Sequence, residues 1–517
     1  MQIRKRLAIF SDSMDDLQQI IHSLTKSEQK DFRHFIQRHR YKSSRVDLDL
    51  FNLFTHEKQY GKEEILLALY GQKVDRNNYH GTRKRLVKHL NDFIYLQQID
   101  DDESLEAVIS KNLILIRHLF SHNLEKLAWK NLRKTEKLAL KAELNHQLQL
   151  IYELQIEHYD AVYVTQSLKD LVKKREAHAD LAREDQNMKI IGSFVRQELD
   201  KVKIQAQELD LDRVLDLLLN TFEMQDSLFR RPKLRYNFVL IARGIILANK
   251  AFYSFEEYVI RNYNKIAASG YFENRPSHRV NMLYIVSHTL YRNKKFAEAI
   301  SYLNEMVKYL KDVNKGVYNR LNPRYHLLRA ACENFRGNLE QSIAVLEELT
   351  PGQFVNREDE FNAKLNRSIY YFEQKDYKKA NQILQNLGHT DNWFEKHMGV
   401  EWRIKKNMID VIYQYELGRT ELALDRVHSL ERIHGNLFKT KKYKRVVVFL
   451  GLIKEVIKHP HQVQSISFLE RVEHSFDWVD KEREDLQAMS YYAWLKSKMT
   501  DKDFYEVIIS LIQNTKT

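Results

Sequence analysis

Along most of this chain, apolar residues recur three and four positions apart with charged residues between them. In YFEQKDYKKANQILQNL, residues 371–387, two aromatics close an apolar run and a polar turn follows. Tyr377, Ala380, Leu384 and Leu387 then come at spacings of three and four. Such spacing puts side chains on one face of a helix. The stripe returns in KKFAEAISYLNEMV (294–307), GNLEQSIAVLEEL (337–349) and GRTELALDRVHSL (418–430), which align without gaps at intervals of 38 to 43 residues. The small position holds Ala299, Ser342, Ala380 and Ala423, and four residues later stand Leu303, Leu346, Leu384 and Val427.

Before each copy lies another helical stretch ending in an aromatic: Tyr291, Phe335, Phe372 and Tyr415. A short polar turn joins the two, with Gly337 and Gly418 in two copies, and glycine suits the left-handed conformation that ends a helix. Each unit therefore reads as a helix-turn-helix hairpin. Two antiparallel helices approach closely only where one contact residue is small, which explains the alanine in the apolar stripe. One hairpin cannot cover its own apolar face, so neighbours must stack.

In these residues the chain resembles the tetratricopeptide (TPR) family, over roughly residues 275 to 435. The first helix of each unit has a matching small position at Ser287, Ala330 and Ser368, while Val411 departs from it. The copies run longer than the family's usual 34 residues. Pro323 suits a helix start and Pro351 a helix exit. The resemblance implies an α-solenoid in which the first helices line a concave binding surface. On that pattern Asn281, Tyr284, His288, Arg292, Arg324, Asn362 and Lys405 are groove candidates. Arginine, asparagine and lysine there suit an acidic or carboxylate-ended peptide.

Degenerate hairpins flank the repeats. HNLEKLAWKNLRK (122–134) echoes GNLEQSIAVLEEL. Residues 235–263 read as a hairpin turning at Asn249–Lys250, and 491–512 as a closing pair. Between 180 and 230 long amphipathic helices are expected, with LDRVLDLLL (211–219) as the strongest stripe. The expected organisation is a basic helical domain over 1–105, degenerate hairpins and long helices over 106–270, TPR-like repeats over 271–435, and a helical capping region over 436–517. The fold class is all-α: a solenoid of TPR-like hairpins with a small basic helical N-terminal domain.

In that N-terminal domain, Thr25 and Glu28 stand at capping-box spacing before a periodic helix. Further on, the turn LYGQKVDRNN precedes a helix carrying Arg83, Lys84, Arg85 and Lys88. This is the arrangement of a helix-turn-helix reader with a basic helix for a major groove. The bland alternative is that Leu86, Val87, Leu90, Phe93 and Ile94 form a buried stripe and the cations are simply solvated.

Composition narrows the picture. Of 517 residues only 14 are Gly and 5 Pro, too few for a chain rich in tight turns. One cysteine, Cys332, excludes an internal disulfide and reads as a buried structural thiol. No apolar run reaches membrane-spanning length, and LAIF near the N-terminus is too short for a signal-peptide core. A cytoplasmic protein without membrane insertion is expected. The net charge of +13 favours acidic partners where it clusters, as in RKRLVKHL (83–90) and KTKKYKR (439–445).

Catalytic chemistry has no foothold. His118 and His122 share a helix face but lack a third ligand, and His459 and His461 merely flank Pro460. There is no phosphate-binding loop, nucleophile elbow or dinucleotide fingerprint. The expectation is a non-enzymatic scaffold or adaptor that needs no cofactor or metal and binds a protein or peptide. The alternative is a nucleic-acid-binding regulator, with the repeats serving sensing or assembly.

Overall fold

The computed structural model describes residues 16–38, 46–56, 62–71, 76–101, 104–160, 162–164, 166–205, 216–217, 219–249, 252–440, 443–475 and 485–513. Every regular element among them is a helix. The chain divides into two compact units, Met1–Arg183 and Glu184–Thr517.

The first unit opens with α1 (Asp16–Ser23), α2 (Lys26–Arg38), α3 (Val46–Thr55), α4 (Lys62–Tyr70) and the long α5 (Arg76–Asp101). The capping box closes as its spacing predicts. Thr25 N donates to Glu28 Oε2 at 2.6 Å, and Glu28 N donates to Thr25 Oγ1 at 3.2 Å. These bonds hold the Glu28 carboxyl below its ordinary range. Phe32, Phe51, Leu86, Leu90 and Phe93 fill a core on one side of α5, while Lys84, Arg85 and Lys88 stay exposed on the other. Part of the turn expected before this helix, residues 72–75, lies outside the described residues.

Next come α6 (Leu105–Ser121), α7 (Glu125–Ala142) and α8 (Asn145–Glu157) around Trp129, Ile151 and Tyr152. At 122–134 the turn falls one position later than the matched letters place it. Asn123 takes the left-handed turn conformation, φ 56°, and the buried small residue five positions on is Ala128. A long helix, α9 (Leu168–Gln205), follows. Most of LDRVLDLLL lies outside the described residues.

The second unit is built from helix pairs adjacent in sequence and in space. After α10 (Gln225–Arg230), α11 (Pro232–Asn249) pairs with α12 (Phe252–Ala268) on either side of the expected turn. The four repeat copies then form α13 (Pro276–Arg292) with α14 (Phe296–Leu310), α15 (Lys315–Phe335) with α16 (Leu339–Glu347), α17 (Arg357–Glu373) with α18 (Tyr377–Gln385), and α20 (Val400–Glu416) with α21 (Thr420–Phe438). The short α19 (Asp391–Met398) precedes the last pair. First helices also pack on first helices, α13 on α15 and α15 on α17, so neighbouring hairpins share their apolar faces.

All four small positions of the second helices, Ala299, Ser342, Ala380 and Ala423, are 0% exposed, as are Ser287, Ala330, Ser368 and Val411 on the first helices. Valine fits where serine and alanine stand elsewhere. The turns share one device. Lys294, Gly337, Lys375 and Gly418 stand five residues before the small position, and all take positive φ, from 61° to 93°.

One boundary differs from the sequence reading. Pro323 does not start its helix but lies inside α15. The helix begins eight residues earlier because Asn314 caps it, its Oδ1 accepting from Val317 N at 2.9 Å. Pro351 does follow a helix end, opening a short 3-10 turn, Pro351–Gln353.

The unit ends with α22 (Lys444–Lys458), α23 (Ile466–Ser475), α24 (Leu486–Thr500) and α25 (Phe504–Gln513). Of the basic run before α22, residues 441–442 lie outside the described residues. The pair α24–α25 does more than follow the last repeat. Leu486, Met489, Ala493 and Ile508 join the core of the first repeat beside Leu283 and Phe296. Trp494, Leu495 and Met499 join the core of the later repeats beside Val427 and Phe449. No helix among the described residues is long and apolar enough to cross a membrane.

Candidate functional site

Where α24 reaches back over the first helices, side chains do not fill the space between them. A cavity of about 360 Å³ remains, within the usual range for small-ligand pockets. Its walls come from the ends of successive first helices: Tyr291 and Arg292 from α13, Asn334 from α15, and Tyr370 and Glu373 from α17. Lys405 enters from the second turn of α20. Asp485, Tyr491 and Trp494 close the cavity from the C-terminal hairpin.

Asp485 does two jobs. Its Oδ1 caps α24, accepting from Gln487 N at 2.9 Å, and its Oδ2 accepts from Arg292 Nη2 at 3.0 Å. Further contacts hold the hairpin down. Trp494 Nε1 donates to Glu416 Oε1 at 2.7 Å, and Tyr505 Oη donates to the Asn334 carbonyl at 2.6 Å. Lys375 pairs with Asp503 at 2.9 Å, and the Phe504 ring meets the edge of Phe372 at 5.7 Å.

Two buried oxygens in this wall have no hydrogen-bond partner among the described residues: Glu373 Oε2 and Asn334 Oδ1. Glu373 is 6% exposed and Asn334 2%. Burial pushes the Glu373 carboxyl up to about 8, with a hydrogen bond from Asn334 drawing it partly back. Lys405, which also lines the cavity, is half-buried, and no hydrogen bond or ion pair holds its ammonium among the described residues. Burial lowers its pKa, Asp485 raises it, and Arg292 lowers it further.

Of the groove candidates read from the sequence, the structure brings Arg292 and Lys405 together here. The other five lie in contacts between helices. Asn281 Nδ2 donates to Tyr236 Oη at 3.0 Å. Tyr284 lies under the Arg243 guanidinium, 5.3 Å from its ring centre, and stacks on His288. Burial drops the His288 imidazole to about 3. Arg324 Nε donates to Asp359 Oδ2 at 3.0 Å, and Asn362 Oδ1 accepts from Trp402 Nε1 at 2.9 Å. On α5, Arg85 Nη2 donates to Thr82 Oγ1 at 3.0 Å, so its head is partly engaged within its own helix.

Asn334, Glu373 and Asp485 were not anticipated. A signal for Glu373 exists, since an acid follows the terminal aromatic of the first helix in two copies, Phe372–Glu373 and Tyr415–Glu416. Asp485 gives no such sign, because its partner lies far away along the chain.

Cys332 is fully buried, and burial pushes its thiol up. His122 Nδ1 lies 2.9 Å from the His118 carbonyl oxygen. Among the described residues no group of three or more His, Cys, Asp or Glu side chains could hold a metal ion.

No family model matches the chain, and neither a curated protein nor a solved structure matches it.

Proposed function

We propose that the second unit is a non-catalytic scaffold, an α-solenoid of TPR-like hairpins that binds a peptide or protein segment on its first-helix face. One observation carries this reading: that face already holds a helical segment of its own chain. The hairpin α24–α25 lies on it through apolar anchors, Leu486, Met489 and Trp494, and through the Arg292–Asp485 ion pair. Apolar anchors framed by ion pairs are how an amphipathic helix is recognised in a groove. A cytoplasmic setting fits this reading.

Screening the full chain against a library of acidic and carboxylate-ended peptides tests the scaffold reading. Binders are expected, with affinity reduced about tenfold or more by Lys405→Ala, the scale of one lost charge-assisted bond. A library without a single binder, or binders indifferent to both Lys405→Ala and Arg324→Ala, sinks the reading and its residues respectively.

A second reading rests on the exposed basic face of α5, with Lys84, Arg85 and Lys88 opposite the buried Leu86 and Leu90. In it the first unit contacts nucleic acid through phosphates. Binding to random duplex DNA would then fall steeply with salt, and Lys84→Glu with Lys88→Glu would abolish it. Absence of salt-sensitive binding by the full chain discards this reading.

A further inference from the structure

The cavity beneath α24 is lined by groups that no single-headed ligand satisfies. At one part stand two buried oxygens without hydrogen-bond partners among the described residues, Glu373 Oε2 and Asn334 Oδ1. An unpaired buried acceptor costs about 1–3 kcal/mol, so such a site calls for a donor-rich group. At another part stands the Lys405 ammonium, with Arg292 beside it already committed to Asp485. That part calls for an anion. A cation alone would meet Lys405 and Arg292, and an anion alone would leave Asn334 Oδ1 without a donor.

The two parts belong to different helices. Lys405 lies in the second turn of α20, whereas Glu373 is the last residue of α17. Each responds to its own surroundings: Glu373 to burial and Asn334, Lys405 to burial, Asp485 and Arg292. The walls between are aromatic, from Tyr291, Tyr370, Tyr413, Tyr491 and Trp494, and suit an apolar middle. The volume of about 360 Å³ admits a ligand of two residues and excludes a folded segment.

We propose that this cavity is a binding site for a small linear zwitterion of dipeptide size. Its ammonium rests on Glu373 and Asn334, its carboxylate on Lys405, and its side chains lie against the tyrosines and Trp494. This goes beyond the scaffold reading and does not require it. The ligand sits under the hairpin rather than replacing it, and therefore ties α24 to the first helices. The ammonium supplies the positive charge that the Glu373 carboxyl lacks among its neighbours, and it draws that carboxyl toward its ionised form.

The test uses the full chain and calorimetric titration with a panel of dipeptides bearing aromatic, aliphatic and small side chains. Each is compared with its N-acetylated and its C-amidated form. The expected result is millimolar or tighter binding of at least one free dipeptide, weakened about tenfold or more by blocking either end. Lys405→Met is expected to erase the preference for the free carboxylate while keeping that for the free amine, and Glu373→Gln the reverse. These preferences are comparisons within one variant, so a partial loss of folding does not confuse them. No binding by any dipeptide of the panel, or equal binding of free and blocked forms, overturns the proposal. Dipeptide binding without any binder in the longer-peptide screen keeps this site and drops the scaffold reading.

Discussion

The hydroxyl of Ser368 donates a 2.8 Å hydrogen bond to the carbonyl oxygen of Ala380, and both residues are sealed from solvent. The bond runs from the first helix of the third hairpin to the second, at the point where the two small residues let the backbones meet. Tyr413 Oη, from the next hairpin, lies 3.1 Å from the same hydroxyl. One serine thus ties together two helices of its own hairpin and the first helix of the following one. Ser368→Ala should cost about 1 kcal/mol by losing that bond. Ala380→Leu should cost about 1–3 kcal/mol or more by overpacking a closed crossing. Chemical denaturation of the full chain, read at a probe in the second unit, distinguishes them. An Ala380→Leu protein as stable as the wild type would mean that the crossing is loose.

Gly337 holds φ at 93° in the second repeat turn, with open space where a side chain would be. Gly337→Ala should therefore destabilise by about 1–2 kcal/mol through backbone conformation alone. Gly435 also faces open space, but it sits in the ordinary helix α21. Gly435→Ala should stabilise by about 1 kcal/mol. Opposite signs from one chemical change, measured as shifts in thermal midpoint, check the left-handed turn.

Glu373 makes stability depend on pH in a defined direction. Its carboxyl titrates from an ordinary 4.5 in the unfolded chain and about 8 in the folded one. Between those values the folded protein keeps a proton that the unfolded chain has released. The contribution of Glu373 is therefore fully present below about 4.5 and is lost as pH rises through 8, at up to about 1.4 kcal/mol per pH unit. Glu373→Gln has no proton to lose. Its stability relative to wild type should rise steadily from pH 5 to pH 8. A difference that stays flat over this range would place the carboxyl in contact with solvent or a cation.

Asp485 anchors the C-terminal hairpin at both a helix end and an ion pair. Asp485→Ala removes the α24 cap, at about 1 kcal/mol, and leaves Arg292 and Lys405 without their shared carboxylate. Amide hydrogen exchange should quicken across residues 486–513 and at the ends of α13 and α20, while α21 keeps its protection. Unchanged exchange in α24 would show that the apolar contacts of Leu486 and Trp494 suffice to hold it.

Much of the second unit was legible because its contacts are local. The periodicity around Ala299, Ser342, Ala380 and Ala423 marks hairpins whose two helices are neighbours in the chain, and turn and stripe lie within a dozen residues of each other. The shifted echo at Asn123–Ala128 shows the limit of matching letters. The conserved physical quantity is the left-handed residue five positions before the small one, and Lys294 and Lys375 fill it without being glycine. Pro323 misled because a capping asparagine upstream outweighed a proline within the helix. The candidate site was only half legible. Arg292 and Lys405 are named only through the resemblance to TPR-like repeats. Glu373, Asn334 and Asp485 matter through a contact between residues 292 and 485, which no short stretch of sequence encodes.

That long reach also has a kinetic side. Hairpins with neighbouring partners have little loop entropy to overcome and can form early, whereas the Arg292–Asp485 closure must bring together residues 193 positions apart. On that order of events the face that meets α24, Leu283 included, would be covered last. During refolding, that delay is when aggregation competes most strongly with the native hairpin.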